Sequence, residues 1–67
     1  MPRRLRLLLV APRLPRRGVT AAQAYWWELL ARLAPRHAIT LLAFLDADDV
    51  GGETELPPGL AAVHTVP

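Results

Sequence analysis

Residues 4–45 decide the fold of this chain and read RLRLLLVAPRLPRRGVTAAQAYWWELLARLAPRHAITLLAFL. The opening apolar run, 4–11, shows no alternation, and this continuous apolar character is typical of a parallel strand that is buried on both faces. Pro2 before the run and Pro12 and Pro15 after it disfavour the competing assignment as a helix. The run therefore predicts a strand over 4–11.

A helix is predicted over 21–34. Thr20 supplies an N-cap, and Gln23 three residues later completes a capping-box pattern. The helix should end before Pro35, because a residue that precedes proline is pushed out of the helical region. An apolar stripe at helical spacing runs between these limits and consists of Ala22, Tyr25, Trp26, Leu29, Leu30 and Leu33.

The run 38–45 is rich in β-forming residues and too short for another helix, so it predicts a second buried strand, parallel to the first. Segment 46–60 is acidic and contains several Gly and Pro residues, and we expect it to be irregular and mobile. A short third strand is predicted at 62–66. Because parallel strands are covered on both faces and the chain supplies one helix, we expect an α/β fold: a partial Rossmann-like β-α-β unit from a doubly wound parallel sheet.

Composition excludes several classes of site. The chain has 67 residues and no cysteine, which rules out disulfides, thiolate metal sites and a cysteine nucleophile. His37 and His64 are the only histidines, so we expect neither a zinc site nor a catalytic triad. One small domain of this length buries only ~60% of its unfolded surface, so its core should be marginal.

Charge is divided unevenly along the chain. Residues 1–36 hold all eight arginines and one acid, whereas residues 37–67 hold the other five acids and no arginine. Such a division leaves open an Arg-rich interaction module that binds anionic membrane or nucleic acid. Nucleic acid is disfavoured, because no aromatic–basic interleaving or known binding motif accompanies the charge.

The amino terminus has the beginnings of a secretory signal, with arginines followed by an apolar run. The run 7–11 is shorter than the ~7–15 residues that such a signal needs, and Pro12 ends it. Nothing approaches the ~20 apolar residues of a membrane span. We expect a cytoplasmic protein that is able to touch the inner face of the membrane through its arginines.

The loop after the first strand is the candidate binding site, because ligands of open α/β sheets bind beyond the carboxyl ends of the strands. The following helix N-terminus attracts phosphate or carboxylate. The candidate substrate- or phosphate-binding residues are Arg13, Arg16, Arg17, Gly18 and Thr20. The alternative is that these arginines are solvated loop charges.

Other motifs are absent or weak. The loop has one glycine, Gly18, where a dinucleotide fingerprint needs three, and it lacks the Gly-Lys-Ser/Thr of a P-loop. Asp46 and Asp48 could contact a ribose, or they are ordinary turn residues. Trp26 lies on the apolar stripe, whereas Trp27 falls off it and should cap the helix flank or contact a missing element.

The order of these segments resembles the amino-terminal domain of family 4 glycosyltransferases, which have two Rossmann-like domains, the GT-B fold. The segments that carry the resemblance are LLLVAPRLP at 7–15, YWWELLARLAPRH at 25–37, ITLLAF at 39–44, DADD at 46–49 and VHTVP at 63–67. They span nearly the whole chain but only the first part of such an enzyme.

The resemblance implies transfer of a sugar from a nucleotide-sugar donor, a co-substrate, to a glycan or lipid-linked acceptor, without a metal or other cofactor. The first domain mainly holds the acceptor. The family's Gly-Gly pair near the donor phosphates reduces here to Gly18, and Ala22 and Gln23 stand where the family often has an acid. The catalytic residues lie outside this sequence, so we expect no activity from the chain without its partners, the rest of this domain and the second domain. A fragment of another Rossmann-like enzyme is an alternative that the missing glycines disfavour.

Overall fold

The computed structural model describes residues 3–67 and shows a parallel three-stranded sheet with one α-helix. In chain order the elements are β1 (Arg6–Ala11), α1 (Ala21–Leu33), β2 (Ala38–Phe44), two 3₁₀ turns (Ala47–Asp49 and Gly52–Glu55) and β3 (Ala62–Val66). The strand order is β1-β2-β3. The predicted α/β unit with parallel strands is confirmed, and its predicted bounds agree with these to within two residues. Pro2, which the sequence argument used, lies outside the described residues.

One face of the sheet is covered by α1. Paired residues of neighbouring parallel strands share a face, and the register pairs Leu7 with Ile39 and Leu9 with Leu41. These side chains meet Leu30 of the helix. The fully buried cluster on this side consists of Ala11, Leu14, Leu30, Ile39, Leu41 and Ala43. The hydrophobic core therefore lies between the helix and this one face.

The other face is apolar but exposed. Leu8 is 63% exposed, Val10 49% and Phe44 44%. Within residues 3–67, no helix or strand packs over this face. Parallel sheets are usually covered on both faces, whereas the described sheet is covered on one.

The helix presents a different stripe to the core than the apolar spacing predicts. Gln23 and Leu30 are its buried residues, and Trp26 packs against the core from the same side. Tyr25 is 67% exposed and Ala22 is exposed, so their predicted place on the buried stripe is wrong. A polar side chain, Gln23, is buried on this helix although it is not part of the predicted apolar stripe.

The two histidines lie apart, one just before β2 and the other within the edge strand β3. His37 precedes β2 and its Nδ1 accepts a hydrogen bond from the backbone N–H of Leu5 at 3.1 Å, which ties the starts of β1 and β2 together. His64 is exposed on β3. Neither lies in the loop region that follows β1.

Candidate anion-binding site

The loop after β1 meets the turn after β2 at the carboxyl ends of the two strands. Because β1 and β2 pair directly and in parallel, the segments that leave them start side by side. The loop brings Arg13 and Arg16, and the turn brings Asp49. Two of the five predicted site residues, Arg13 and Arg16, are thus brought together.

Asp49 is the centre of this cluster and its side chain is 0% exposed. Its Oδ2 accepts a hydrogen bond from Nε of Arg13 at 3.2 Å. Its Oδ1 accepts from Nη1 of Arg16 at 3.3 Å and from Nε2 of Gln23 at 3.0 Å. Gln23 also donates to the carbonyl oxygen of Leu14 at 2.9 Å. A buried charge is tolerated only when it is paired and hydrogen-bonded, and this carboxylate meets both conditions.

These contacts decide the protonation of Asp49. Burial disfavours its charged form, but the hydrogen bonds from Arg13, Gln23 and Arg16 and the charge of Arg13 outweigh burial and hold the pKa of Asp49 below its usual value of 3.8. The carboxylate is therefore ionised at neutral pH. Asp46 and Glu55 also pair with Arg13 and Arg16, so the arginine pair is matched by acidic side chains on more than one side.

The lowered pKa predicts that acid weakens the fold. In the unfolded chain Asp49 takes up a proton near pH 3.8, but in the folded chain only at lower pH. Its stabilising contribution is therefore complete above about pH 4 and is lost as the pH falls through the folded-state value. Urea unfolding of the wild type and of Asp49→Asn, followed between about pH 6 and pH 2, should give a stability difference that shrinks in acid. A difference that stays constant over this range would contradict the lowered pKa.

Acidic groups and one glycine surround the arginine pair. Nη1 of Arg16 donates to the carbonyl oxygen of Asp48 at 3.0 Å, and Nη2 of Arg16 lies 3.7 Å from Glu55. Arg13 Nη2 lies 3.8 Å from a carboxylate oxygen of Asp46. A Cβ on Gly52 would lie 3.0 Å from Arg16 Nε, so the absence of a side chain lets this guanidinium pack closely. That Nε is buried and has no hydrogen-bond partner within residues 3–67.

The other three predicted residues do not join the cluster. Arg17 donates to Glu28 at 3.1 Å and its guanidinium stacks 3.8 Å from the ring centre of Trp27. Gly18 has φ 76°, a left-handed conformation that favours glycine, and a Cβ there would meet open space. Thr20 caps α1 by accepting from the N–H of Gln23 at 3.1 Å. The role of these three in anion binding stays a prediction.

Half of the capping-box prediction is confirmed. Thr20 caps the helix, but the amide nitrogen of the Gln23 side chain turns to Leu14 and Asp49. Trp27 packs on the chain's own acidic segment, because its Nε1 donates to the carbonyl oxygen of Glu55 at 2.8 Å. Of the two alternatives for Trp27, contact with the flank of this fold is the one observed.

Asp46 and Asp48, the candidate ribose contacts, are both exposed beside the arginine pair. Asp46 caps the first 3₁₀ turn, with its Oδ1 accepting from the N–H of Ala47 at 2.7 Å. Their role toward a ribose stays a prediction.

Comparisons with known proteins leave the family open. The chain matches no protein-family model, and no curated protein or solved structure is significantly similar to it. In the part of the chain that the structure describes, no helix has the length and apolar character to cross a membrane. Within residues 3–67, no three His, Cys, Asp or Glu side chains are grouped so that they could hold a metal ion.

Sequence reasoning missed the two residues that complete the cluster, Asp49 and Gln23. Asp49 is one of five acids in a polar segment, and nothing in that pattern distinguishes it from its neighbours. Gln23 has a sufficient local explanation as a capping residue. The available signal was the excess of arginine in the loop after β1, which requires acidic partners elsewhere if any of it is buried.

Proposed function

We propose that this chain is the amino-terminal, acceptor-side part of a glycosyltransferase that moves a sugar from a nucleotide-sugar donor to a glycan or lipid-linked acceptor. It is inactive without the rest of its domain and a second Rossmann-like domain. It works in the cytoplasm, where a lipid-linked acceptor would bring it to the inner face of the membrane. The family resemblance of the sequence segments supplies the reaction.

The observation that carries this proposal is the convergence of Arg13 and Arg16 at the carboxyl end of the parallel sheet. Both guanidinium groups act on one carboxylate there, so the position is shaped to hold an oxyanion. This end of an open α/β sheet is where such folds bind phosphorylated ligands. The donor diphosphate and an acidic acceptor both have the required chemistry.

The exposed face of the sheet supports the proposal that the chain is part of a larger domain. The exposed face that carries Leu8, Val10 and Phe44 is apolar, and in doubly wound folds helices cover this side. The proposed partner for the face is the remainder of the same domain. The cleft between the two domains would then form beside the arginine pair.

The test is a transfer assay on the product of this coding region extended downstream. With a panel of nucleotide sugars, release of the nucleoside diphosphate should require an acceptor, and the 67-residue chain should release none. Arg16→Gln should lower kcat/KM by roughly 100-fold, because a charged donor to the phosphates is lost. Circular dichroism should show that the variant is folded.

The matched control is Arg36→Gln, the same substitution before β2, at the other end of the sheet. It should leave kcat/KM within about twofold of the wild type, since it is far from the proposed phosphate position. An extended product that transfers no sugar from any donor would refute the proposal. Equal losses in the Arg16 and Arg36 variants would refute the assigned site.

A further inference from the structure

The Asp49 carboxylate occupies the position in which a ligand's oxyanion would contact the arginine pair. The side chains of Arg13 and Arg16 are 36% and 20% exposed, whereas that of Asp49 is 0% exposed. The two guanidinium groups therefore have an inner side toward Asp49 and a partly exposed outer side, where Asp46 lies 3.8 Å from Arg13 and Glu55 lies 3.7 Å from Arg16. An anion that arrives from solvent therefore competes with these two exposed carboxylates as well as with the buried Asp49.

The segment that carries Asp49 is held to the rest of the fold by polar contacts. Outside Asp49 these are exposed and run from Arg13 to Asp46, from Arg16 to Glu55 and the Asp48 carbonyl, and from Trp27 to the Glu55 carbonyl. Within 46–55, Asp49 and Gly52 are the buried residues. The segment consists of two short 3₁₀ turns joined at Val50 and at Gly51, whose φ is 90°. Its carboxylate therefore makes the main buried polar attachment between the segment and the loop after β1.

We infer that Asp49 is a built-in occupant of the anion site, and that an external carboxylate or phosphate binds Arg13 and Arg16 by displacing Asp49 together with segment 46–55. This inference rests on the proposed function for the assignment of the two arginines to ligand binding, and it adds a regulatory contact to that site. Binding of an anion and release of the acidic segment are then one event.

The physical basis is competition for the same donors. A guanidinium group binds a carboxylate or a phosphate through paired N–H donors, so an external oxyanion can make the bonds that Asp49 makes. Asp49 regains hydration when it leaves, which offsets part of the cost of breaking its contacts. An external anion can bind only while Asp49 is displaced. The apparent Kd is therefore the intrinsic Kd divided by the fraction of molecules in which the arginine pair is open.

The first experiment compares two variants with the same change in charge. Asp49→Asn keeps the shape of the side chain and removes its charge, and Glu28→Gln removes the charge of the carboxylate that pairs with Arg17. Titration with inorganic phosphate, pyrophosphate and acetate, followed by calorimetry and backbone NMR shifts, should show binding to Asp49→Asn about tenfold tighter than to the wild type. Glu28→Gln should change affinity less than about twofold, and adding Arg16→Gln to Asp49→Asn should abolish the gain.

The second experiment is chemical rescue of Asp49→Ala by added anions. It remains informative if an Asp49 variant is unstable, because it measures how far the anions stabilise the fold. Asp49→Ala leaves room beside two guanidinium groups that have lost their buried carboxylate partner. Sodium acetate should raise its Tm by at least about 5 °C relative to sodium chloride of the same ionic strength, and should raise that of the wild type by much less. Phosphate in place of acetate shows whether the site takes a planar or a tetrahedral anion.

The outcomes separate this inference from the proposed function. Equal affinity changes in Asp49→Asn and Glu28→Gln would overturn the inference, because net charge alone would then explain the binding. An Asp49→Ala variant that neither acetate nor phosphate stabilises would also overturn it. Neither experiment requires sugar transfer, so a lack of transferase activity would remove the proposed reaction while leaving the anion exchange intact.

Discussion

Replacing Leu41 by alanine is expected to lower the free energy of unfolding by about 2–5 kcal/mol. Leu41 is 0% exposed in the central strand β2 and belongs to the same buried cluster as Leu30 of the helix. A chain of this length carries a total stability of roughly 3–10 kcal/mol, so the substitution removes a large part of it. The Tm measured by circular dichroism should fall by roughly 10–30 °C.

The matched control is Leu8→Ala, the same chemical change on the neighbouring strand but on the opposite face. Leu8 is 63% exposed, so its truncation should cost less than about 1 kcal/mol. The comparison measures how unequal the two faces of the sheet are. If Leu8→Ala lowered the free energy of unfolding as much as Leu41→Ala does, both faces of the sheet would be covered in solution. That result would contradict an exposed second face.

The strands and the helix could be predicted because each has a strong local signal. Uninterrupted apolar runs before Pro12 and after His37 predict buried strands, and Thr20 and Pro35 limit the helix between them. The helix between the strands then requires parallel pairing, which the register confirms. Local chemistry and chain connectivity are sufficient for this much of the fold.

The sequence could not predict which residues of β1 face the helix and which face solvent. In the run 7–10 every position is apolar, so the pattern does not distinguish Leu7 and Leu9, which face the helix, from Leu8, which does not. Alternation gives the direction of a side chain only when one face is polar. The position of α1 across the sheet decides the matter, and that position is a tertiary property.

The buried polar cluster could be predicted only in part. The arginines after β1 were identified as anion-binding candidates from their place in the fold. Their partner Asp49 is 36 residues from Arg13 along the chain and 33 from Arg16, so no local spacing links them. Gln23 is buried because both Leu14 and Asp49 satisfy its amide, whereas Tyr25, which belongs to the predicted stripe, is exposed. Burial of polar groups depends on partners that only the folded chain brings together.

The exposed apolar face should make the isolated chain self-associate, and a pair of charges on that face should prevent it. The variant carries Leu8→Glu on β1 and Phe44→Lys on β2, two positions of the same face, and keeps the net charge of the chain. Each side chain contributes about 1.5–3 kcal/mol when it is buried in an interface, so the association constant should fall by at least about 100-fold. Sedimentation equilibrium and the fluorescence of a hydrophobic dye measure this change.

The control places the same two charges on exposed apolar residues elsewhere, Val50→Glu and Tyr25→Lys. Val50 is 74% exposed and Tyr25 67%, and neither lies on the sheet. If the uncovered face drives association, the control should associate like the wild type, because scattered apolar residues do not form a contiguous patch. A wild-type chain that stays monomeric and binds no dye would mean that this face tolerates water, and the argument for a missing covering element would fail. A control that dissociates as fully as the sheet variant would instead assign the contact to the helix and acidic-segment side, where Tyr25 and Val50 lie.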